Sequence, residues 1–249
     1  MGGIRVFAAA AAGAFALAGA LMGRAAAEPI LQLYIEGAEY DAATETWILQ
    51  RQIGDPLRLW AIGNTGKSNP ISNVRIAAAY SQADITGPVN FIFTPTTTGG
   101  LGGFTDPSTP AAPAFLQTVS DGSVPLLTDG GSLPSHGIYG AGVEWQEFLL
   151  GDFTLEDSPL SDFINTFPAP NKPGEAQINV YDISISGLGA GAFVHFDLYD
   201  SVQSGNKARS VFAPFSHDAG NTVVPTPGSL GLLALGLIGA GAALRRRRR

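Results

Sequence analysis

Apolar side chains recur at every second position along much of this chain. Between residues 28 and 224 no stretch carries a helical period over about 11 or more residues. A period of two places alternate side chains on opposite faces of a strand, so the body has to be built from sheets. Leu31, Leu33 and Ile35 alternate with Gln32, Tyr34 and Glu36, which predicts a half-buried strand over Ile30 to Glu36. Thr46 to Leu49 is a short run after a turn near Tyr40 and Asp41. Leu57, Leu59 and Ala61 share one face, with Arg58 and Trp60 opposite. Val74, Ile76, Ala78 and Tyr80 share another, as do Val89, Phe91 and Phe93. Val143 to Leu155 continues the pattern with a break at Gly151 and Asp152. About eight or nine such runs without helices predict an all-β fold, an antiparallel β-sandwich of jelly-roll or Ig-like topology.

Ile178 to Ile185 and Ala192 to Tyr199 flank the glycine-rich Gly187 to Gly191, which reads as a hairpin. On the second run Ala192, Val194, Phe196 and Leu198 share one face, and His195, Asp197 and Tyr199 the other. Thr94 to Ser132 is rich in Gly, Pro, Thr and Ser and reads as a loop, a surface excursion or cover for a short strand at Leu116 to Val119. Ser158 to Pro173 reads as a second loop.

Both ends have a different character. Arg5, the Ala-rich apolar stretch Val6 to Gly23 and the A-x-A sequence Ala25 to Ala27 predict a signal-peptide helix over residues 1–27, with cleavage between Ala27 and Glu28. At the other end Val224-Pro225-Thr226-Pro227 precedes an uncharged apolar run from Leu230 to Leu244. Arg245, Arg246, Arg247, Arg248 and Arg249 end the sequence. As a helix that run covers about 23 Å, short against a bilayer core of about 30 Å. The arginines would stay cytoplasmic and place the body across the membrane. The expected division is 1–27 signal peptide, 28–221 extracellular domain and 222–249 tail.

This export signal, Pro-rich knot, short apolar helix and arginine cluster resemble the PEP-CTERM sorting arrangement of Gram-negative bacteria, with Thr226 where the motif usually has Glu. The resemblance implies transient membrane retention, cleavage near Val224 to Pro227 by an exosortase, and delivery to the cell surface alongside exopolysaccharide. Permanent anchoring by the same helix is the rival expectation.

Without its ends the chain retains seven basic residues against all 21 acidic ones, a net charge of about −14 that the whole-chain value of −7 conceals. So acidic a body excludes non-specific nucleic-acid binding and favours solubility. The chain has no cysteine, which excludes a lipoprotein, a disulfide and a thiol nucleophile.

Three stretches of the body form a set: Leu31 to Gly37 with Tyr40-Asp41 and Thr46-Trp47; Leu133-Pro134-Ser135-His136-Gly137-Ile138-Tyr139; and His195-Phe196-Asp197-Leu198-Tyr199-Asp200 with Phe212 to Ala219. Together they resemble the choice-of-anchor N proteins, whose extracellular domain is joined to different C-terminal anchors. That family usually has Pro where this chain has Gly140. The resemblance implies a surface location and supplies no catalytic residues.

Candidate chemistry centres on His136, His195 and His217, which suggest a three-histidine metal site with Asp197 or Asp218 as the carboxylate. His195 and Asp197 have the i, i+2 spacing that puts two ligands on one face of a strand. The alternative is a histidine bonded across strands or holding a loop. Asp182, Asp197 and Asp200 are candidate calcium ligands, although no Asp-x-Asp-x-Asp-Gly loop is present. Glu144 and Glu147 beside Trp145 suggest a glycosidase pair, but residues three apart on a regular strand face opposite sides. Tyr34, Trp60 and Tyr199 are candidates for a carbohydrate-stacking surface, with core packing as the alternative. Gly187 to Ala192 matches G-x-G-x-x-A, but a strand-like run follows, so it reads as a turn. The expected protein is a non-enzymatic, exported surface or matrix protein with a structural or adhesive role linked to exopolysaccharide. Its partners are signal peptidase, exosortase and the membrane, and no cofactor is required. A calcium- or glycan-binding module is the alternative.

Overall fold

The structure is a computed structural model. It describes residues 30–41, 43, 46–52, 54–68, 70–98, 109–160, 172–204, 207–213 and 218–224. The signal peptide, Pro225 to Pro227, the apolar run, the terminal arginines and His217 lie outside these residues.

The described chain forms β1 (Leu31–Ile35), β2 (Glu39–Asp41), β3 (Thr46–Gln52), β4 (Leu57–Gly63), a single-turn helix α1 (Thr65–Ser68) and β5 (Ile71–Ser81). A 3-10 turn (Gln82–Asp84) leads to β6 (Ile85–Thr98), then β7 (Ala114–Val119), β8 (Val143–Phe153) and β9 (Ser158–Leu160). β10 (Lys172–Leu188), β11 (Phe193–Ser204), β12 (Lys207–Phe212) and β13 (Asp218–Val224) complete it. They make two sheets. One has the order β1-β4-β10-β6, with β9 also on β10. The other has the order β2-β3-β13-β11-β5-β8-β7, with β12 also on β11.

The sandwich interior is where the alternation placed it. Leu57, Leu59 and Ala61 of β4 meet Val74, Ile76, Ala78 and Tyr80 of β5 and Val194, Phe196 and Leu198 of β11 in one buried cluster. Phe91 and Phe93 enter it from β6, and Phe91 meets Phe148 and Phe196 edge-on, the geometry aromatic pairs prefer. β1 is buried on both faces, not one. Tyr34 is covered because it stands edge-on against Trp47 at 5.1 Å and Trp60 at 5.4 Å.

The connections depart from expectation. β10 and β11 are not a hairpin: β4 and β6 flank β10, whereas β5, β13 and β12 pair with β11 in the opposite sheet. The glycine-rich link is a corner that carries the chain between layers. Gly187 (φ +85°) and Gly191 (φ +88°) supply its left-handed backbone. The N–H of Gly189 donates to the carbonyl of Asp84 at 2.9 Å, and that of Gly191 to Val223 at 2.7 Å. Ile183 and Val194 then face the same interior from opposite sheets. The sandwich is also not purely antiparallel, because β13 runs parallel to β3. β13 reaches Val224, so the sheet takes in Thr222, Val223 and Val224, which the division at 221 and 222 left in the tail. Of the expected loops, Thr94 to Thr98 belongs to β6, the short strand near Leu116 to Val119 is β7, and the start of the second loop is β9. The break expected at Gly151 and Asp152 is a bulge, where β8 loses register against Val74 of β5.

Candidate functional site

β11 lies inside the eight-stranded sheet, between β13 and β5. Its inward residues fill the sandwich. Its other face, carrying His195, Asp197 and Tyr199, would meet solvent in a bare sheet. These three are nevertheless 2 %, 3 % and 0 % exposed. Their cover is the segment 120–142 between β7 and β8. It lays Val124, Leu127, Leu133, Ile138 and Tyr139 against Ala77, Ala79, Trp145 and Tyr199 in a second apolar cluster on the outside of the sheet. The small side chains of Ala77 and Ala79 leave room for it. The segment is folded by its own backbone bonds, from Leu127 to the carbonyl of Gly131 at 2.8 Å and from Leu133 to that of Pro125 at 2.9 Å. The indole N–H of Trp145 fastens it by donating to Ser123 at 2.7 Å. Gly140 holds φ +152°, a backbone closed to proline with its φ fixed near about −65°.

The cover brings His136 over β11, so the second and third of the resembling stretches meet. His136 Nε2 lies 2.8 Å from His195 Nε2. Asp197 Oδ1 lies 3.4 Å from His195 Nε2 and 3.5 Å from His136 Nε2. The other carboxylate oxygen, Oδ2, accepts from the Tyr139 hydroxyl at 2.5 Å. His136 Nδ1 lies 3.2 Å from the carbonyl of Pro134. A carbonyl can only accept, so Nδ1 carries the proton in this contact and, in the neutral ring, leaves Nε2 with its lone pair. Burial lowers the pKa of His136 and favours that neutral ring, opposed by the charge of Asp197. For Asp197, burial disfavours the charged form, but His195, His136 and the Tyr139 hydroxyl together hold its pKa below the ordinary carboxylate range.

A second buried polar group adjoins this one. Glu147 accepts from the Tyr199 hydroxyl at 2.7 Å, from Gln117 at 2.8 Å and from Arg75 at 3.2 Å. Burial, then the Glu147 carboxylate, raises the Tyr199 pKa well above its ordinary value. Glu144 instead bonds Tyr80, a residue of the sandwich interior, at 2.7 Å. The sheet therefore stands between Glu144 and Glu147, and the two carboxylates do not converge on one glycosidic bond.

The structure also separates the oxygen-only ligand set. Asp182 lies on β10 in the other sheet, paired with Arg58 at 2.8 Å. Asp197 faces the histidines instead. Asp200 and Asp218 belong to β11 and β13, and their side chains lie outside the described residues. Tyr34, Trp60 and Tyr199 do not form a stacking surface, since Tyr34 and Trp60 pack together and Tyr199 belongs to the outer cluster. His195 with Asp197 was legible from i, i+2 spacing. The roles of Tyr139 and Pro134 were not, because they follow from the fold of the cover.

Removing the Tyr139 hydroxyl tests how much the cover contributes. A hydrogen bond to a buried charged group is worth about 1.5–3 kcal/mol. Tyr139→Phe is therefore expected to lower stability by that amount in denaturant melts. A change under about 0.5 kcal/mol would mean that the Asp197 contact is absent in solution.

The sequence matches no family model, and no curated protein matches it. Among solved structures it is similar to an enzyme of macrocyclization in alchivemycin A biosynthesis, at 9 % identity and TM-score 0.33, over 80 % of this chain and 90 % of that one. It is also similar to a family 123 glycoside hydrolase from Clostridium perfringens, at 13 % identity and TM-score 0.28, over 78 % of this chain and 27 % of that one. A third is the collagen-binding subdomain of the Enterococcus faecalis surface protein ACE, at 10 % identity and TM-score 0.28, over 79 % of this chain and 99 % of that one. Similarity this low does not establish a shared fold or function.

Proposed function

We propose that this chain is an exported, non-enzymatic β-sandwich module with a structural or adhesive role in an exopolysaccharide-rich surface layer, sorted by its C-terminal tail. In this reading signal peptidase cuts between Ala27 and Glu28. The run Leu230 to Leu244 then holds the protein in the membrane, and an exosortase cuts near Val224 to Pro227. The observation that carries the reading is the position of the last strand among the described residues. β13 ends at Val224, the first residue of the Val224-Pro225-Thr226-Pro227 motif. A cut after that residue removes the apolar run and the five arginines without removing any described strand. The strongly acidic body fits an aqueous extracellular setting.

Expression of the full chain beside a chain ending at Val224 tests the sorting step. Both are expected to be exported and folded. Only the full chain is expected in the membrane fraction and then at the surface, with the shortened one released soluble into the periplasm. Equal surface delivery of both would overturn the proposal.

A further inference from the structure

We infer that His136, His195 and Asp197 form a binding site for one divalent transition-metal ion of the zinc class, which clips the covering segment to the outer face of β11. The three ligand atoms all lie within 4.8 Å of one another. In a tetrahedral site with metal–ligand bonds of about 2.0–2.1 Å, neighbouring ligand atoms stand about 3.3 Å apart. The observed separations are 2.8, 3.4 and 3.5 Å, so small shifts admit the ion.

The donor set selects the class of metal. Two imidazole nitrogens with one carboxylate oxygen suit zinc and its first-row neighbours iron, cobalt and nickel, whereas calcium takes six to eight oxygens. The contacts around the ligands are those that metal-bound side chains require. His136 directs Nδ1 to the Pro134 carbonyl at 3.2 Å, which orients the ring and turns the Nε2 lone pair inward. The Tyr139 hydroxyl binds Asp197 Oδ2 and leaves Oδ1 for the ion. His195 also lines an open cavity of about 160 Å³ with Asp84, Gly137 and Phe193.

The site has a mechanical purpose. Its ligands come from the covering segment and from β11, 59 residues apart between His136 and His195. A cross-link over such a separation removes loop-closure entropy from the unfolded chain. The chain has no cysteine, so no disulfide can do this. The inference stands on these residues alone and does not depend on export or sorting.

The test is titration of the chelator-stripped full-length chain, held in detergent, with Zn²⁺ alone and with Co²⁺ alone. One equivalent of Zn²⁺ is expected to bind, with slowed amide exchange over residues 133–139. Co²⁺ is expected to show the intense visible absorption of four-coordinate nitrogen and oxygen ligation. His136→Gln and Asp197→Asn are each expected to weaken Zn²⁺ binding by at least about 100-fold. Asp182→Asn, in the other sheet, is expected to leave it unchanged. His136 sits on the cover, so His136→Gln decides the matter should Asp197→Asn fail to fold. Absence of saturable Zn²⁺ uptake, or full affinity in His136→Gln, would overturn the inference.

Discussion

Phe196→Ala is expected to lower the unfolding free energy by about 3–5 kcal/mol, a large part of the roughly 5–15 kcal/mol that holds a domain together. Phe196 is fully buried on β11. Its cross-strand neighbours are Ala78 on β5 and Ala219 on β13. Two alanines beside one phenylalanine is a large-against-small arrangement, so neither neighbour can reach into the space the ring vacates. Phe91, edge-on at 6.3 Å, loses a partner as well. The cost should therefore fall toward the upper end of the range, measured as a lower midpoint in denaturant with little change in slope. A loss under about 1 kcal/mol would mean that the two sheets do not close on this residue.

The second large effect distinguishes a sheet corner from a hairpin. A Cβ built on Gly187, at φ +85°, would lie 2.2 Å from the carbonyl oxygen of Pro88 and 2.6 Å from its carbon. Backbone cannot yield as a side-chain tip can. Gly187→Ala is expected to cost about 1–2 kcal/mol for the left-handed conformation and about 1–3 kcal/mol for the collision. Gly191, at φ +88°, has nothing within 4 Å of its built Cβ. Gly191→Ala is expected to carry the conformational cost alone, about 1–2 kcal/mol. The difference between the two isolates the approach of β6 to the corner. Equal costs would mean that Pro88 is not beside Gly187, as would follow if β10 and β11 were hairpin partners.

That hairpin shows what period two can and cannot convey. Alternation identified the inward faces of β4, β5 and β11, because burial of every second side chain is a property of one strand. It also separated Glu144 from Glu147. It could not identify each strand's neighbour. Ile178 to Ile185 and Ala192 to Tyr199 bury the same side chains whether they pair within one sheet or face each other across two. The outer site was half legible for a related reason. His195 and Asp197 stand out as a polar face on an apolar strand. What buries them is a Gly-, Pro- and Ser-rich segment in which Leu133, Ile138 and Tyr139 show no period, since irregular backbone imposes none. Tyr34 was misleading too: a phenol on the polar face of β1 reads as exposed until Trp47 arrives from the other sheet. The parallel pairing of β13 with β3 depends on contacts about 170 residues apart in sequence, such as Arg51 with Asn221.

In the proposed function the tail is a removable address on a folded extracellular module. Intact-mass and terminal-peptide mass spectrometry of the protein recovered from the cell surface measures it directly. Processing at both ends is expected to leave an N-terminus at Glu28 and a C-terminus near Val224 to Pro227, with Leu230 to Leu244 and the arginines gone. A surface-recovered chain still ending in Arg245 to Arg249 would contradict it and establish a permanent anchor.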